Sequence, residues 1–122
     1  MKRQLDTVFL LQEWGIWLRV QSGLPHYVSP AYALMRDNVQ LLGGPVPAIS
    51  DDLAMLIDRL VARLYERYPE AGTALWNYYR HGGLSYRQLG RLMDCTHVKA
   101  QELVRVGEVW VDASIAMDAD AA

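Results

Sequence analysis

The stretch that decides the fold of this chain lies at residues 84–110 and reads LSYRQLGRLMDCTHVKAQELVRVGEVW. Ser85 and Gln88 have the spacing of a capping box, in which each side chain bonds to the backbone of the other residue, so a helix begins there. Its apolar period ends after about two turns at Asp94, and Thr96 then caps a second, longer helix. The stretch therefore predicts a helix-turn-helix, two helices joined by a turn of three or four residues.

Each helix of this predicted helix-turn-helix has one apolar face, which we expect to pack inward. The inward residues are Leu89, Leu92 and Met93 on the first helix and Ala100, Val104, Gly107 and Val111 on the second. The outward residues near the start of the second helix are His97, Val98, Lys99, Gln101, Glu102 and, one turn on, Arg105. A helix-turn-helix places such outward residues against base edges in the major groove, while its first helix lies across the phosphate backbone.

Side-chain chemistry suggests roles for the candidate DNA-binding residues. Lys99 could read guanine, Gln101 adenine and Glu102 the amino group of cytosine. Arg87 and Arg91 can reach phosphates, which position a protein without reading sequence. The full set of candidates is Arg87, Arg91, Thr96, His97, Lys99, Gln101, Glu102 and Arg105. The alternative interpretation of the same pattern is a pair of helices in a plain bundle that binds no ligand.

The charge balance requires that any nucleic-acid contact be local. The 122 residues include 12 Lys plus Arg and 14 Asp plus Glu, a formal net charge of -2, whereas indiscriminate polyanion binders are strongly basic. Between residues 80 and 105, five basic side chains stand against two acidic ones, a local charge of +3. These residues are Arg80, Arg87, Arg91, Lys99 and Arg105 against Asp94 and Glu102. The basic charge is therefore concentrated on the predicted helix-turn-helix.

Helical patterns also cover the chain before residue 84. Residues 5–21 predict a helix that is apolar around most of its circumference, which either packs against several neighbours or captures a partner. Ser29 followed by Pro30 predicts a helix over residues 30–41. Ser50 caps a central helix, and Pro69 begins a shorter one.

The central helix carries an apolar stripe along one side. The stripe consists of Leu53, Leu56, Ile57, Leu60, Leu64 and Tyr68. The shorter helix after it is expected to end at Gly82-Gly83, where a left-handed cap residue is common.

These patterns predict an all-α fold, one compact helical domain over residues 1–122 with a frayed tail at 112–122. A chain of this length with 52% hydrophobic residues can bury a core without a metal or disulfide. The lone Cys95 excludes a disulfide framework and a multi-cysteine zinc site, and indicates an intracellular protein. No apolar run approaches the roughly 18 residues of a membrane span, so we expect no membrane partner.

Two further patterns leave their interpretation open. Arg59, Arg63 and Arg67 recur every four residues along the central helix and could grip phosphate, bind an acidic protein surface, or form a solvated surface of ion pairs. The aromatic residues Trp76, Tyr78, Tyr79 and Tyr86 fit either a core or a platform for stacking bases.

Enzymatic motifs do not emerge from the sequence. It contains no pair of metal-binding histidines, phosphate-cradling glycine loop or nucleophile elbow, so we predict no enzyme, no cofactor, no metal and no small-molecule substrate. Cys95 falls in the predicted turn, where a small side chain packing under the motif is expected.

The order of several short motifs resembles the phage antitermination protein Q family, of the small all-helical type found in lambdoid phages. The motifs are LQEWGIW at residues 11–17, DDLAM at 51–55, Tyr78-Tyr79 followed by Gly82 or Gly83, and the Cys95-Thr96 turn before the second helix of the motif. The resemblance covers most of residues 5–111. The helix-turn-helix itself resembles sigma-factor region 4.

This resemblance implies a specific transcriptional role. Proteins of the family bind a DNA element at a phage late promoter, load onto host RNA polymerase at a promoter-proximal, sigma-dependent pause, and travel with it. They narrow the RNA exit channel so that terminator hairpins cannot form. The implied partners are double-stranded DNA, host RNA polymerase with sigma factor, and nascent RNA, in the cytoplasm of the host bacterial cell. Arg59, Arg63 and Arg67 would then contact polymerase or RNA.

Two alternatives follow from the residues alone. One is a helix-turn-helix DNA-binding regulator of transcription initiation that never travels with polymerase. The other is a helical module that binds only protein, through the apolar surface of residues 8–18.

Overall fold

The computed structural model describes the backbone of residues 3–22 and 47–121 and the side chains of residues 7–20 and 47–117. These residues form five α-helices and no strand, which confirms the all-α prediction. The helices are α1 at Arg3–Ser22, α2 at Asp51–Arg67, α3 at Pro69–His81, α4 at Tyr86–Met93 and α5 at His97–Ala121. The helix predicted over residues 30–41 lies outside the described residues. None of the described helices is long and apolar enough to cross a membrane.

Helix α1 packs one of its faces against α2, α3 and α5. Leu11 and Trp14 are fully buried, and the Trp14 ring nitrogen donates to an Asp58 carboxylate oxygen of α2 at 3.3 Å. Phe9 lies on the other side of the helix and is exposed. The helix is therefore packed against several neighbours, as one of the two sequence interpretations predicted, but its exposed side is also partly apolar.

The core is built where α2, α3 and α5 meet. Ile57, Leu60 and Leu64 of the predicted stripe are buried, together with Leu75 of α3 and Val104 of α5. The inclusion of Tyr68 in the stripe is wrong: α2 ends at Arg67, so Tyr68 leaves the helical period and is exposed. 

Helices α2 and α5 run antiparallel. A Cβ added at Gly107 would lie 3.2 Å from the Leu64 side chain, while Arg67 lies beside Leu103. Later positions of α2 thus meet earlier positions of α5. This arrangement brings the end of α2 toward the beginning of α5.

Local capping explains where the middle helices begin and end. The Leu53 backbone N–H donates to the Ser50 hydroxyl at 3.2 Å, Pro69 begins α3, and Gly82 ends it with a φ of 75°. Only glycine adopts this left-handed conformation without steric cost. The three boundaries predicted from these residues are confirmed.

The last helix continues beyond the point where the sequence pattern fades. The backbone of α5 is helical to Ala121, through most of the tail predicted to fray, and Ile115 packs against the core. The buried Val111 and the partly buried Ile115 lie on one side and extend the inward face by a further turn. Fraying of residues 112–122 in solution stays a prediction.

Candidate nucleic-acid interface

The start of α4 is fixed by the predicted capping box. The Gln88 backbone N–H donates to the Ser85 hydroxyl at 3.1 Å, and the Ser85 backbone N–H donates to the Gln88 side-chain oxygen at 2.9 Å. Two N–H groups that a helix start would leave unpaired are thereby satisfied. The reciprocal bonds set the first turn of α4, and with it the position of Arg87.

The turn between α4 and α5 consists of three residues and is held by the backbone. Asp94 adopts a left-handed φ of 58°, and the Cys95 N–H donates to the Gly90 carbonyl oxygen at 2.8 Å. A Cβ at Gly90 would lie 2.6 Å from the Cys95 carbonyl oxygen, so only glycine fits there. Sequence reasoning missed Gly90, although a glycine inside a helical pattern is a signal of such close packing.

Thr96 caps α5 as predicted. Its hydroxyl accepts the Lys99 backbone N–H at 3.1 Å, while the residue as a whole is exposed. The cap fixes the first turn of α5 and the backbone from which His97 and Lys99 project. Direct contact of Thr96 with DNA stays a prediction.

The inward residues of the two helices largely follow the prediction. Ala100, Val104, Gly107 and Val111 are buried on α5, and Leu89 is buried on α4. Leu92 is 56% exposed, so its assignment to the inward face is wrong. In a helix of eight residues, Tyr86, Gly90 and Met93 take the positions around Leu89, which turns Leu92 outward.

The outward candidates lie on the surface of α4, the turn and α5. The exposed ones are Arg87, Arg91, Thr96, His97, Lys99, Glu102 and Arg105, and Gln101 is half-buried. Within the described part of the chain, none of the basic side chains among them has an ion-pair partner. Their charges are therefore available to an anionic ligand.

Arg80 does not belong to this surface, although it was counted in the local charge. Its guanidinium carbon lies 4.1 Å from the centre of the Trp76 ring, and it donates to the Asn77 side-chain oxygen at 2.9 Å. Both contacts lie on its own helix α3. The basic character of the α4 and α5 surface thus comes from Arg87, Arg91 and the two basic residues of α5.

Three of the four clustered aromatic residues join helices to one another. The Tyr78 and Tyr86 rings stack with centres 5.1 Å apart, and the edge of Tyr79 meets Tyr78 at the same distance. The buried Tyr79 hydroxyl donates to a Glu108 carboxylate oxygen. Burial, with a smaller effect of Glu108, raises the pKa of Tyr79, and burial raises the pKa of Tyr86 to about 12. These contacts favour the core interpretation for the three tyrosines.

The fourth aromatic residue, Trp76, belongs to an apolar groove between α2 and α3. The groove has a volume of about 560 Å³, and its walls include Val61, Tyr65 and Trp76. Tyr65 is 54% exposed and Trp76 40% exposed. Asp58 and Glu66 also line it. Sequence reasoning missed this groove, because it left Trp76 open between a core and a stacking platform and did not consider Tyr65.

The arginine row of α2 is exposed along its whole length. Arg59, Arg63 and Arg67 all lie on the surface, and none of them has an ion-pair partner among the residues that the structure describes. No described contact therefore supports the alternative in which these arginines form a solvated surface of ion pairs. No described acidic side chain neutralises the three guanidinium groups.

Comparison with sequence models of known families identifies the family of this chain. The sequence model of the family described as phage antitermination protein Q matches residues 2–120, nearly the whole chain. The chain belongs to the phage antitermination protein Q family. Searches of curated proteins and of solved structures gave no significant match.

Family membership makes this protein a phage antiterminator, with a regulatory role. It also implies DNA and RNA polymerase as partners in general. Among the described residues, no cluster of His, Cys, Asp or Glu side chains could hold a metal ion.

Proposed function

We propose that this antiterminator binds a DNA element at a phage late promoter through α4, the Asp94-Cys95-Thr96 turn and the first turns of α5, used as a helix-turn-helix. The start of α5 would enter the major groove, and α4 would lie across the backbone. We call the exposed residues of α4, the turn and α5 up to Arg105 the DNA-binding surface. The proposal rests on the family match together with the geometry of this surface.

Two features of this surface carry the proposal. Backbone contacts fix its geometry, and its basic side chains have no ion-pair partner among the described residues. The left-handed Asp94 and the Gly90 contact set how α4 meets α5, and the capping box fixes the first turn of α4. Preorganised positioning of this kind reduces the entropy lost on binding. Four basic side chains then project from the surface without an ion-pair partner among the described residues. A plain bundle would need neither feature.

Individual roles follow from position. Lys99, Gln101 and Glu102 are proposed to read bases, with Gln101 reaching the groove from a half-buried position. Arg87 and Arg91 are proposed to bind phosphates. Thr96, His97 and Arg105 complete the set of proposed contacts. Glu102 is the one acidic member, and it would select for cytosine by repelling other base edges that present only acceptors.

The second part of the proposal concerns polymerase. The DNA-bound protein would load onto host RNA polymerase at a sigma-dependent pause and act at the RNA exit channel, as the family resemblance implies. The α2–α3 groove is proposed to contact the polymerase. Exposed Tyr and Trp side chains are enriched where protein interfaces gain most of their energy, and the Asp58 and Glu66 carboxylates would repel a nucleic acid.

A transcription assay tests the proposed function directly. The template carries a phage late promoter and a downstream terminator, and the measurement is the fraction of transcripts that read through. We expect purified protein to raise read-through, and Lys99→Ala and Arg105→Ala to weaken both DNA affinity and read-through. Gln12→Ala, an exposed polar change on α1, is the control and should behave as the wild type.

The same assay separates the alternatives. DNA binding without any gain in read-through would favour a regulator of initiation. Absence of DNA binding, with α1 capturing a protein through the side that exposes Phe9, would favour the protein-only module.

A further inference from the structure

We propose that the arginine row of α2, Arg59, Arg63 and Arg67, binds phosphates of the same DNA duplex, on the flank of α5 opposite to α4. The inference rests on the proposed function, because it takes α5 as the helix that enters the major groove. It assigns the row to DNA, in preference to polymerase or RNA.

The row has the geometry of a ligand contact. Its members recur every four residues, which places them about 6 Å apart along the helix axis. All three are exposed, and none is ion-paired within the part of the chain that the structure describes. Arginine side chains in such a state can each offer a planar pair of N–H donors to a phosphate.

Packing places the end of this row beside α5. Arg67 and Tyr68 line a cleft of about 260 Å³ together with Leu103 and Val106 of α5. Lys99 precedes Val106 by seven residues, which is close to two full turns, so both lie on the same flank of α5. Lys99 and Arg67 therefore share one flank, with Lys99 about 10 Å closer to the start of the helix.

Helix α4 occupies the other flank. Tyr86, its first residue, stacks on Tyr78, and the adjacent Tyr79 donates to Glu108 of α5. Glu108 and Val106 are two residues apart, so they point to nearly opposite sides of α5. The start of α5 thus has Arg87 and Arg91 of α4 on one flank and the end of the arginine row on the other.

A helix in the major groove needs this arrangement of charge. The groove is about 12 Å wide and is walled by two phosphate backbones, so an inserted helix meets one strand on each flank. Arg87 and Arg91 would hold one strand, and Arg67 would hold the other.

The antiparallel course of α2 predicts a gradient along the row. Arg67 lies nearest the start of α5, and Arg63 and Arg59 lie about 6 Å and 12 Å further from it. Glu70 lines the same cleft as Arg67, so the attraction must come from direct contact with phosphate rather than from a broad basic field. The contribution to DNA binding should therefore fall in the order Arg67, Arg63, Arg59.

Salt dependence of DNA binding measures this contribution. The full-length protein is titrated into a fluorescently labelled duplex carrying the late-promoter element, at several salt concentrations. Each phosphate contact that is lost makes the slope of log affinity against log salt shallower by about 0.9. We expect that loss for Arg67→Gln, with an affinity decrease that is equal for specific and unrelated duplexes. Arg63→Gln and Arg59→Gln should lose progressively less, and Arg67→Lys should retain most of the slope.

Controls and outcomes keep this inference separate from the proposed function. Gln12→Ala, an exposed change on α1, should leave the slope unchanged. Thermal unfolding should be unaffected in every arginine variant, because these side chains are exposed.

If Arg87→Gln and Lys99→Ala weaken binding but Arg67→Gln does not, the inference is overturned and the proposed function stands. A variant that loses affinity for polymerase or single-stranded RNA, with duplex affinity intact, overturns it as well. If the wild-type protein binds no duplex, the proposed function fails first and the inference with it.

Discussion

The turn between α4 and α5 and the groove between α2 and α3 rely on the same kind of backbone contact, but the side chains exposed around them differ in chemistry. In each, a glycine allows close approach: Gly90 packs against the Cys95 carbonyl, and Gly72 packs against the Tyr65 backbone. Around Gly90 the exposed surface is basic, with Arg87, Arg91 and Lys99 beside the exposed Leu92 and Val98. Around Gly72 it is apolar, with two carboxylates. Close helix packing alone therefore does not determine which partner a surface meets; the flanking side chains do.

The two regions also differ in how firmly their connections are fixed. The α4–α5 junction has a left-handed residue, a close contact at Gly90 and a threonine cap. The α2–α3 junction has Pro69 but no side-chain cap: only the backbone of Tyr68 makes a capping hydrogen bond, its N–H donating to the Leu64 carbonyl oxygen. Reading base edges requires exact placement of the backbone, whereas an apolar protein contact tolerates repacking. The difference agrees with the two proposed partners.

The largest effect is expected from Gly90→Ala. The added Cβ would lie 2.6 Å from the backbone oxygen of Cys95, which cannot move without breaking the turn. We expect the free energy of unfolding, measured in urea, to fall by about 2–4 kcal/mol, and specific DNA affinity to be lost. Gly83→Ala is the matched control, since no atom lies within 4 Å of its added Cβ. It should change stability by less than about 0.5 kcal/mol. Equal effects of the two substitutions would contradict the role assigned to Gly90.

The next largest effect is expected from removing the exposed aromatic side chains of the α2–α3 groove. Tyr65→Ala and Trp76→Ala remove its two exposed aromatic walls and should weaken binding to host RNA polymerase by about tenfold or more, because aromatic anchors of an interface contribute about 1.4 kcal/mol or more each. DNA affinity of both variants should match the wild type, because the groove lies away from α4 and α5. Val109→Ala removes a comparably exposed apolar side chain from α5 and is the control. Loss of DNA affinity in the Trp76 variant would show that the two surfaces are not independent.

Local sequence signals predicted where α3 ends and where α4 and α5 begin, because these signals act over three or four residues. Ser85, Thr96 and Gly82 each bond or bend the backbone within one turn, and their roles do not depend on distant packing. The inward face of α5 was predictable because the helical period of apolar residues repeats over several turns of this 25-residue helix. In α4 the period had eight residues, and Leu92 was assigned to the wrong side.

What the sequence could not predict depends on contacts between helices distant in the chain. The exposure of Tyr65 and Trp76 follows from how α3 meets α2 at Gly72, and no local pattern encodes that approach. The position of Arg67 beside Val106 likewise depends on the antiparallel packing of α2 and α5. The DNA-contact roles of the individual residues stay predictions.

The smallest effect is expected at high pH, and it concerns the link between α4 and the rest of the protein. Burial first, and then the bond to Glu108, raise the pKa of Tyr79 above its ordinary value near 10. The folded protein therefore keeps the phenolic proton at a pH where the unfolded chain has lost it. The stabilisation is complete below about pH 10 and declines as the pH rises further toward the folded-state pKa.

We therefore expect the free energy of unfolding, measured in urea at pH 9 and pH 11, to be lower at pH 11. Tyr79→Phe should reduce this decline, because the substituted ring has no proton to lose. Tyr86→Phe should reduce it less, because the residue is half-buried and solvent screens its interactions. Tyr65→Phe, in the exposed groove, is the control and should keep the wild-type difference between the two pH values. If Tyr79→Phe and Tyr65→Phe showed the same difference, burial of the Tyr79 hydroxyl against Glu108 would not be the source of the lower stability at pH 11.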